Sequence, residues 1–126
     1  MLINVTNHPS TECAIQQIQV AQSTYGSIKD WAFPEIDPSW PMTKVARLAK
    51  NWAIQIGTYL QERESTIGSN AVLVMGEFTF AFALVGYLQK INVLCLSTTT
   101  ARQVHSKGDT KVSQYQFVQF RPIVTH

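Results

Sequence analysis

Apolar residues in this chain gather into short runs, and three of those runs end in polar loops. Leu2-Ile3-Asn4-Val5-Thr6 leads into Asn7-His8-Pro9-Ser10. Ala71-Val72-Leu73-Val74-Met75 leads into Gly76-Glu77-Phe78-Thr79. Asn92-Val93-Leu94-Cys95-Leu96 leads into Ser97-Thr98-Thr99-Thr100. Runs of about five residues that are apolar on both sides suit central parallel strands. Parallel strands would bring the three loops to one sheet edge, the carboxyl edge at which open α/β sheets bind ligands.

Between the runs the period changes. Ala14, Ile18, Ala21 and Tyr25 form a one-sided helical stripe. A helix is expected from a Ser10 or Thr11 N-cap, behind Pro9, to about Thr24, with Gly26 as its stop. Residues 27–32 read as a weaker edge strand. Prolines 34, 38 and 41 forbid regular structure over residues 33–41. A second helix is expected over residues 42–64, with Val45, Leu48, Trp52, Ile56 and Tyr59 inward and Lys44, Arg47, Lys50 and Arg63 off the stripe. A turn over 65–69 with Gly68 follows, and residues 78–90 read as a third helix. Phe80, Ala81, Leu84, Val85 and Leu88 give that helix a core face, and its apolar remainder is a candidate subunit contact.

The end of the chain alternates instead. Residues 102–105 and 111–120 flank the turn 106–110. Val112, Gln114, Gln116, Val118 and Phe120 alternate against Ser113, Tyr115, Phe117 and Gln119, the period of a hairpin. The expected fold is therefore an α/β, Rossmann-like three-layer sandwich. Its parallel strands are ordered 2-1-3-4 by right-handed crossovers, and a C-terminal β-hairpin follows. One domain spans residues 1–126, with an α/β core over 1–100 and the hairpin over 101–126.

Composition narrows the function. Of 126 residues only 14% are charged, and the formal net charge is +2. That charge is too small and too scattered for a dedicated duplex nucleic-acid binder. So few charges on a small domain imply hidden surface, and a homodimer is expected. No basic n-region precedes an apolar stretch. Gly76 and Glu77 interrupt the apolar residues 71–88, so a strand and a helix are expected there rather than a membrane span. The protein is read as cytoplasmic. Its two cysteines, Cys13 and Cys95, form no C-x-x-C pair and read as buried free thiols.

Candidate chemistry follows from the loops. Gly76 allows close approach of backbone to a ligand, and the helix start at Phe78 and Thr79 offers free N–H groups to a phosphate. Glu77 has two readings, a helix N-terminal acid or a proton-transfer group. His8 is either a general acid or base or a shaper of its loop. Asn7 either bonds a ligand or turns the chain. Ser97, Thr98, Thr99 and the nearby Arg102 suit phosphate or ribose, or else form a plain polar loop. Cys95 and Arg102 are spaced by six residues with no glycine between, which excludes a cysteine-phosphatase loop. G-x-G-x-x-G and Walker loops are absent, and His8, His105 and His126 lack metal-ligand spacing, so neither cofactor nor metal is expected. The aromatics over 33–40 read as packing before base stacking.

Taken together, Asn4-x-Thr6-Asn7-His8-Pro9-Ser10, Met75-Gly76-Glu77-Phe78-Thr79, Ser97-Thr98-Thr99 with a following Arg, and Phe117-Val118-Gln119-Phe120-Arg121 resemble a family of small CRISPR-associated proteins. That family is similar to the ring-nuclease and cyclic-oligoadenylate-binding group of type III systems. The resemblance implies a dimer with cyclic tetra-adenylate across its two-fold axis. It also implies metal-independent cleavage, in which a ribose 2′-hydroxyl attacks its own phosphodiester. On that reading His8, Glu77 and Arg102 are catalytic. Asn7, Pro9, Ser10, Gly76, Phe78, Thr79, Ser97, Thr98 and Thr99 bind the ligand. The rival expectations are a sensor or sponge that binds without cutting, and a purely interacting subunit.

Overall fold

The structure is a computed structural model that describes residues 1–63 and 70–125. The expected end of the second helix at residue 64 and the turn over 65–69 lie outside the described residues, as does His126.

Among the described residues, five strands and three α-helices build a mixed α/β domain. In chain order these are β1 (Leu2–Thr6), α1 (Ile15–Tyr25), β2 (Ile28–Asp30), α2 (Met42–Glu62), β3 (Ala71–Met75), α3 (Phe78–Lys90), β4 (Leu94–Lys107) and β5 (Thr110–Pro122). They form one sheet in the order β2-β1-β3-β4-β5. β1 pairs parallel with β2 and β3, and β3 pairs parallel with β4. β5 runs antiparallel to β4.

The parallel strands run β2-β1-β3-β4, but the expected separate hairpin is corrected, since β5 joins the same sheet antiparallel to β4. β4 does not end at residue 96. It pairs with β3 only from Leu94 to Leu96, then continues as one arm of a ribbon with β5 from Leu96↔Pro122 to Lys107↔Thr110. Residues 97–100 are therefore strand and not loop, because β5 supplies their backbone partners. The ribbon projects well past the carboxyl edge of the sheet and turns at Gly108, whose φ of 66° suits the first central position of a II′ turn.

The sheet is covered on both faces. Ile3, Val5, Val72, Val74 and Cys95 pack on one face against Val45, Ala49, Ala53, Ile56 and Leu60 of α2 and Phe80, Leu84 and Leu88 of α3. Leu2, Ala71, Leu73 and Leu96 pack on the other face against Ala21 and Tyr25 of α1. Strands so enclosed must be apolar on both sides, which is why β1 and β3 read as continuous hydrophobic runs. Trp31, and Phe33, Ile36 and Trp40 from the proline-rich segment, also pack on the α2/α3 side.

Two helix ends depart from the sequence reading. Ser10 and Thr11 do not cap α1. Residues Ser10–Glu12 form a 3₁₀ turn, and α1 starts at Ile15 without a side-chain cap. Asn92 does not open β4 but closes α3. Its φ is 61°, its N–H donates to the Gln89 carbonyl at 3.0 Å, and the next N–H, on Val93, reaches the Leu88 carbonyl at 3.1 Å. These two bonds make a Schellman motif. The apolar remainder of α3 is open in the single chain, with Phe78 75% and Phe82 62% exposed. Among the described residues no helix is long and apolar enough to cross a membrane.

Candidate functional site

Asn4 is the one polar residue buried in the core among the described residues. It interrupts an otherwise apolar strand, and its amide organises the loop that follows. Nδ2 donates to the His8 carbonyl at 2.9 Å and to Asp30 Oδ1 at 2.9 Å. Asp30 lies on the neighbouring strand and accepts the Ser10 N–H at 3.0 Å and the Ser10 hydroxyl at 2.7 Å. Thr6 closes the turn from inside: its hydroxyl lies 3.0 Å from Asn4 Oδ1 and 2.9 Å from the His8 carbonyl, and it accepts the His8 N–H. Burial works to raise the Asp30 pKa, but hydrogen bonds from Asn4 and Ser10, aided by Lys29, outweigh it and hold the carboxyl below its ordinary value. Loop 7–10 is thus pinned by a charged partner distant in sequence, and Ser10 is spent on Asp30 rather than on a helix.

Beside this loop lies a cleft of about 510 Å³, within the usual size of small-molecule sites. Its wall on the β1 side is Thr6, Asn7 and His8. Met75 ends β3 and Gly76 follows it, and Thr98, Thr100, Tyr115 and Phe117 come from the ribbon. Glu12, Cys13 and Gln17 close it from the α1 side. β2 and β3 lie on opposite sides of β1, so the cleft sits at the carboxyl edge where the strand order reverses.

The structure brings together only part of the expected set. Asn7, His8, Gly76 and Thr98 converge in the cleft. Glu77 does not join them. Its carboxylate caps α3, accepting the N–H groups of Thr79 at 3.1 Å and Phe80 at 2.8 Å as well as the Thr79 hydroxyl. The Thr79 hydroxyl and the Phe80 N–H hold its pKa down. Of the N–H groups expected to receive a phosphate at this helix start, that of Thr79 is therefore taken by Glu77. Glu77 and Thr79 line a different cleft with Asp37 and Trp40, and Pro9 lines a third with Asp30 and Phe33. Phe78 is exposed, its ring 5.8 Å from that of Phe82.

Gly76 also has a packing reason. A Cβ there would come within 2.4 Å of the Phe33 ring, which stands edge-on to Phe80 at 5.2 Å. On β4, alternation turns Ser97 and Thr99 away from the side that Thr98 and Thr100 share. Arg102 lies farther out on the ribbon, where Nε and Nη2 donate to Ser113 Oγ at 3.3 and 2.9 Å.

The sequence reading also missed lining residues. The pairing of β4 with β5 shifts between Thr99 and Thr100: Thr99 faces Gln119, but Thr100 faces Phe117. This β-bulge leaves Val118 unpaired and reverses the alternation of β5 beyond it. Phe117 and Tyr115 consequently stand on the side of Phe120, against the expected split. The Phe117 ring lies 5.1 Å from Phe120, which meets Tyr25 of α1 at 6.3 Å. Strict period-2 counting cannot find a bulge. The buried Asn4, by contrast, was visible as an amide inside an apolar run.

Cys13 lines the cleft, but burial first, then Asp30 and Glu12, raise its pKa, so it is a poor nucleophile at neutral pH. Among the described residues no cluster of three or more His, Cys, Asp or Glu is placed to hold a metal ion.

Hydroxyls, amides, one imidazole and two aromatic rings surround a cleft at the carboxyl edge of the sheet in a small mixed α/β domain. The profile of the Uncharacterized protein MJ1673 family matches residues 1–121, and the chain belongs to that family. No curated protein and no solved structure matches it.

Proposed function

We propose that this protein is a Rossmann-like, cytoplasmic homodimer that binds a cyclic oligoadenylate and cleaves it, switching off type III CRISPR signalling. The observation that carries the reading is the meeting of His8, Asn7, Gly76 and Thr98 in one cleft at the strand-order switch. Hydroxyls and amides suit ribose and phosphate oxygens, and an imidazole can move a proton near neutral pH. In the proposed reaction a ribose 2′-oxygen forms a new bond to the adjacent phosphorus. His8 accepts the 2′-hydroxyl proton. The 5′-oxygen leaves with its electron pair and is protonated by solvent. The product is a linear chain with a 2′,3′-cyclic phosphate end.

A second reading, a sponge that binds without cutting, is favoured by one observation. Glu77 is engaged as a cap and Arg102 sits on the ribbon, so His8 alone of the three proposed catalysts lines the cleft.

Incubation with cyclic tri-, tetra- and hexa-adenylate in EDTA, followed by mass spectrometry, separates these readings. Linear products with cyclic-phosphate ends, lost in His8→Ala, are expected. Bound but intact rings would leave the sponge. Intact rings with no binding would overturn both.

A further inference from the structure

We propose that the cleft continues onto the projecting ribbon, where Tyr115 stacks a purine base and Arg102 meets the phosphate beside it. The inference rests on the nucleotide reading of the cleft and adds a part of the site that the loops do not contain.

Three observations carry it. The bulge at Thr99/Thr100 turns Phe117 and Tyr115 toward the cleft. Phe117 is used up as floor, being 6% exposed and in tilted ring contact with Phe120. Tyr115, two residues farther out on the same face and so about 7 Å away, also lines the cleft but is 70% exposed. An aromatic ring left open beside the cleft offers a flat apolar surface to a ligand with a π-face.

Arg102 supplies the second observation. It is the direct cross-strand partner of Tyr115, and directly opposed residues of an antiparallel pair project from the same face. Ser113 Oγ engages two of the five guanidinium N–H donors and lays the group along that face. A cation held beside an open aromatic ring matches a base with its neighbouring phosphate.

The third observation is the surroundings. Thr98 and Thr100 share this face and line the cleft. Ring, guanidinium and hydroxyls therefore form one track from the cleft outward. Successive nucleotides would find a base contact and phosphate contacts there in turn.

The test is an equilibrium titration with cyclic tetra-adenylate carrying 2′-fluoro riboses, which cannot cleave itself. Tyr115→Ala is expected to weaken binding about tenfold, within the range of a single lost stack. Tyr115→Phe should stay within about twofold of the parent, since the ring face and not the hydroxyl makes the contact. Arg102→Ala should weaken binding and flatten its salt dependence. Both side chains are exposed, and thermal midpoints equal to the parent's would confirm that each variant folds. If the parent binds and Tyr115→Ala binds equally well, the ribbon has no stacking role and this inference fails alone. If the parent does not bind the ring at all, the nucleotide reading itself falls and takes the inference with it.

Discussion

The ring of Phe33 occupies the space into which a side chain on Gly76 would project, at 2.4 Å from the position of a Cβ. Phe33 belongs to the proline-rich segment and Gly76 to the turn between β3 and α3. The contact therefore fixes that segment against the end of the sheet on the side opposite α1.

Gly76→Ala should destabilise the fold by about 1–3 kcal/mol, as overpacking does. Urea midpoints would measure it. Adding Phe33→Ala should remove much of the penalty, because the two sites share one contact and their effects cannot be additive. Simple additivity would show that the clash is relieved elsewhere.

Asn4→Ala should cost about 1–3 kcal/mol, since it removes donors from a buried position and leaves the Asp30 carboxylate short of a partner. The same change should loosen loop 7–10. Amide exchange of His8 and Ser10 should accelerate more than that of β3. Uniform acceleration across the sheet would point to a general loss of stability.

Glu77→Ser should hold the thermal midpoint closer to the parent's than Glu77→Ala does, because serine is itself a good N-cap. If Glu77 only caps α3, the serine variant should also turn over cyclic oligoadenylate as the parent does. Loss of turnover with an unchanged midpoint would return Glu77 to the chemistry.

Acid should weaken the protein through the same carboxylates. Asp30 and Glu77 both have pKa values lowered in the folded state by hydrogen bonds. Their contribution is fully present above the unfolded-state values, about pH 4. It is lost as pH falls through the lower folded-state values. Asp30→Asn should therefore show a shallower loss of denaturation midpoint between about pH 5 and pH 2 than the parent.

The two thiols should separate cleanly. Burial pushes Cys95 up to about 12. Iodoacetamide at pH 8 should leave Cys95 untouched in the native protein and modify it once the chain is unfolded. Cys13, half-buried, should react slowly. Rapid native labelling of Cys95 would mean that β4 opens locally.

What the sequence made legible was the part governed by near neighbours. Ala71–Met75 and Phe78–Lys90 are apolar blocks separated by Gly76 and Glu77, and their boundaries were read directly. Elsewhere a distant partner decided the outcome. Residues 97–100 look like a loop until β5 pairs with them. Ser10 looks like a cap until Asp30 takes it. The cleft side of β5 depends on one unpaired residue, Val118. The loops after β1 and β3 that line the cleft were therefore legible, while the run of β4 straight into the hairpin, which forms the other wall, was not.

The place of β1 also dictates when the domain can form. This strand lies between β2 and β3, and the register that seats it joins Leu2 to Ala71. The backbone amine of Met1 meets Asn70 across 69 positions of chain. During synthesis β1 must therefore stay unpaired on one edge until more than half of the chain has emerged. Contacts of such long span close slowly, so the pairing of β1 with β3 forms late, with an adhesive strand edge open in the interval.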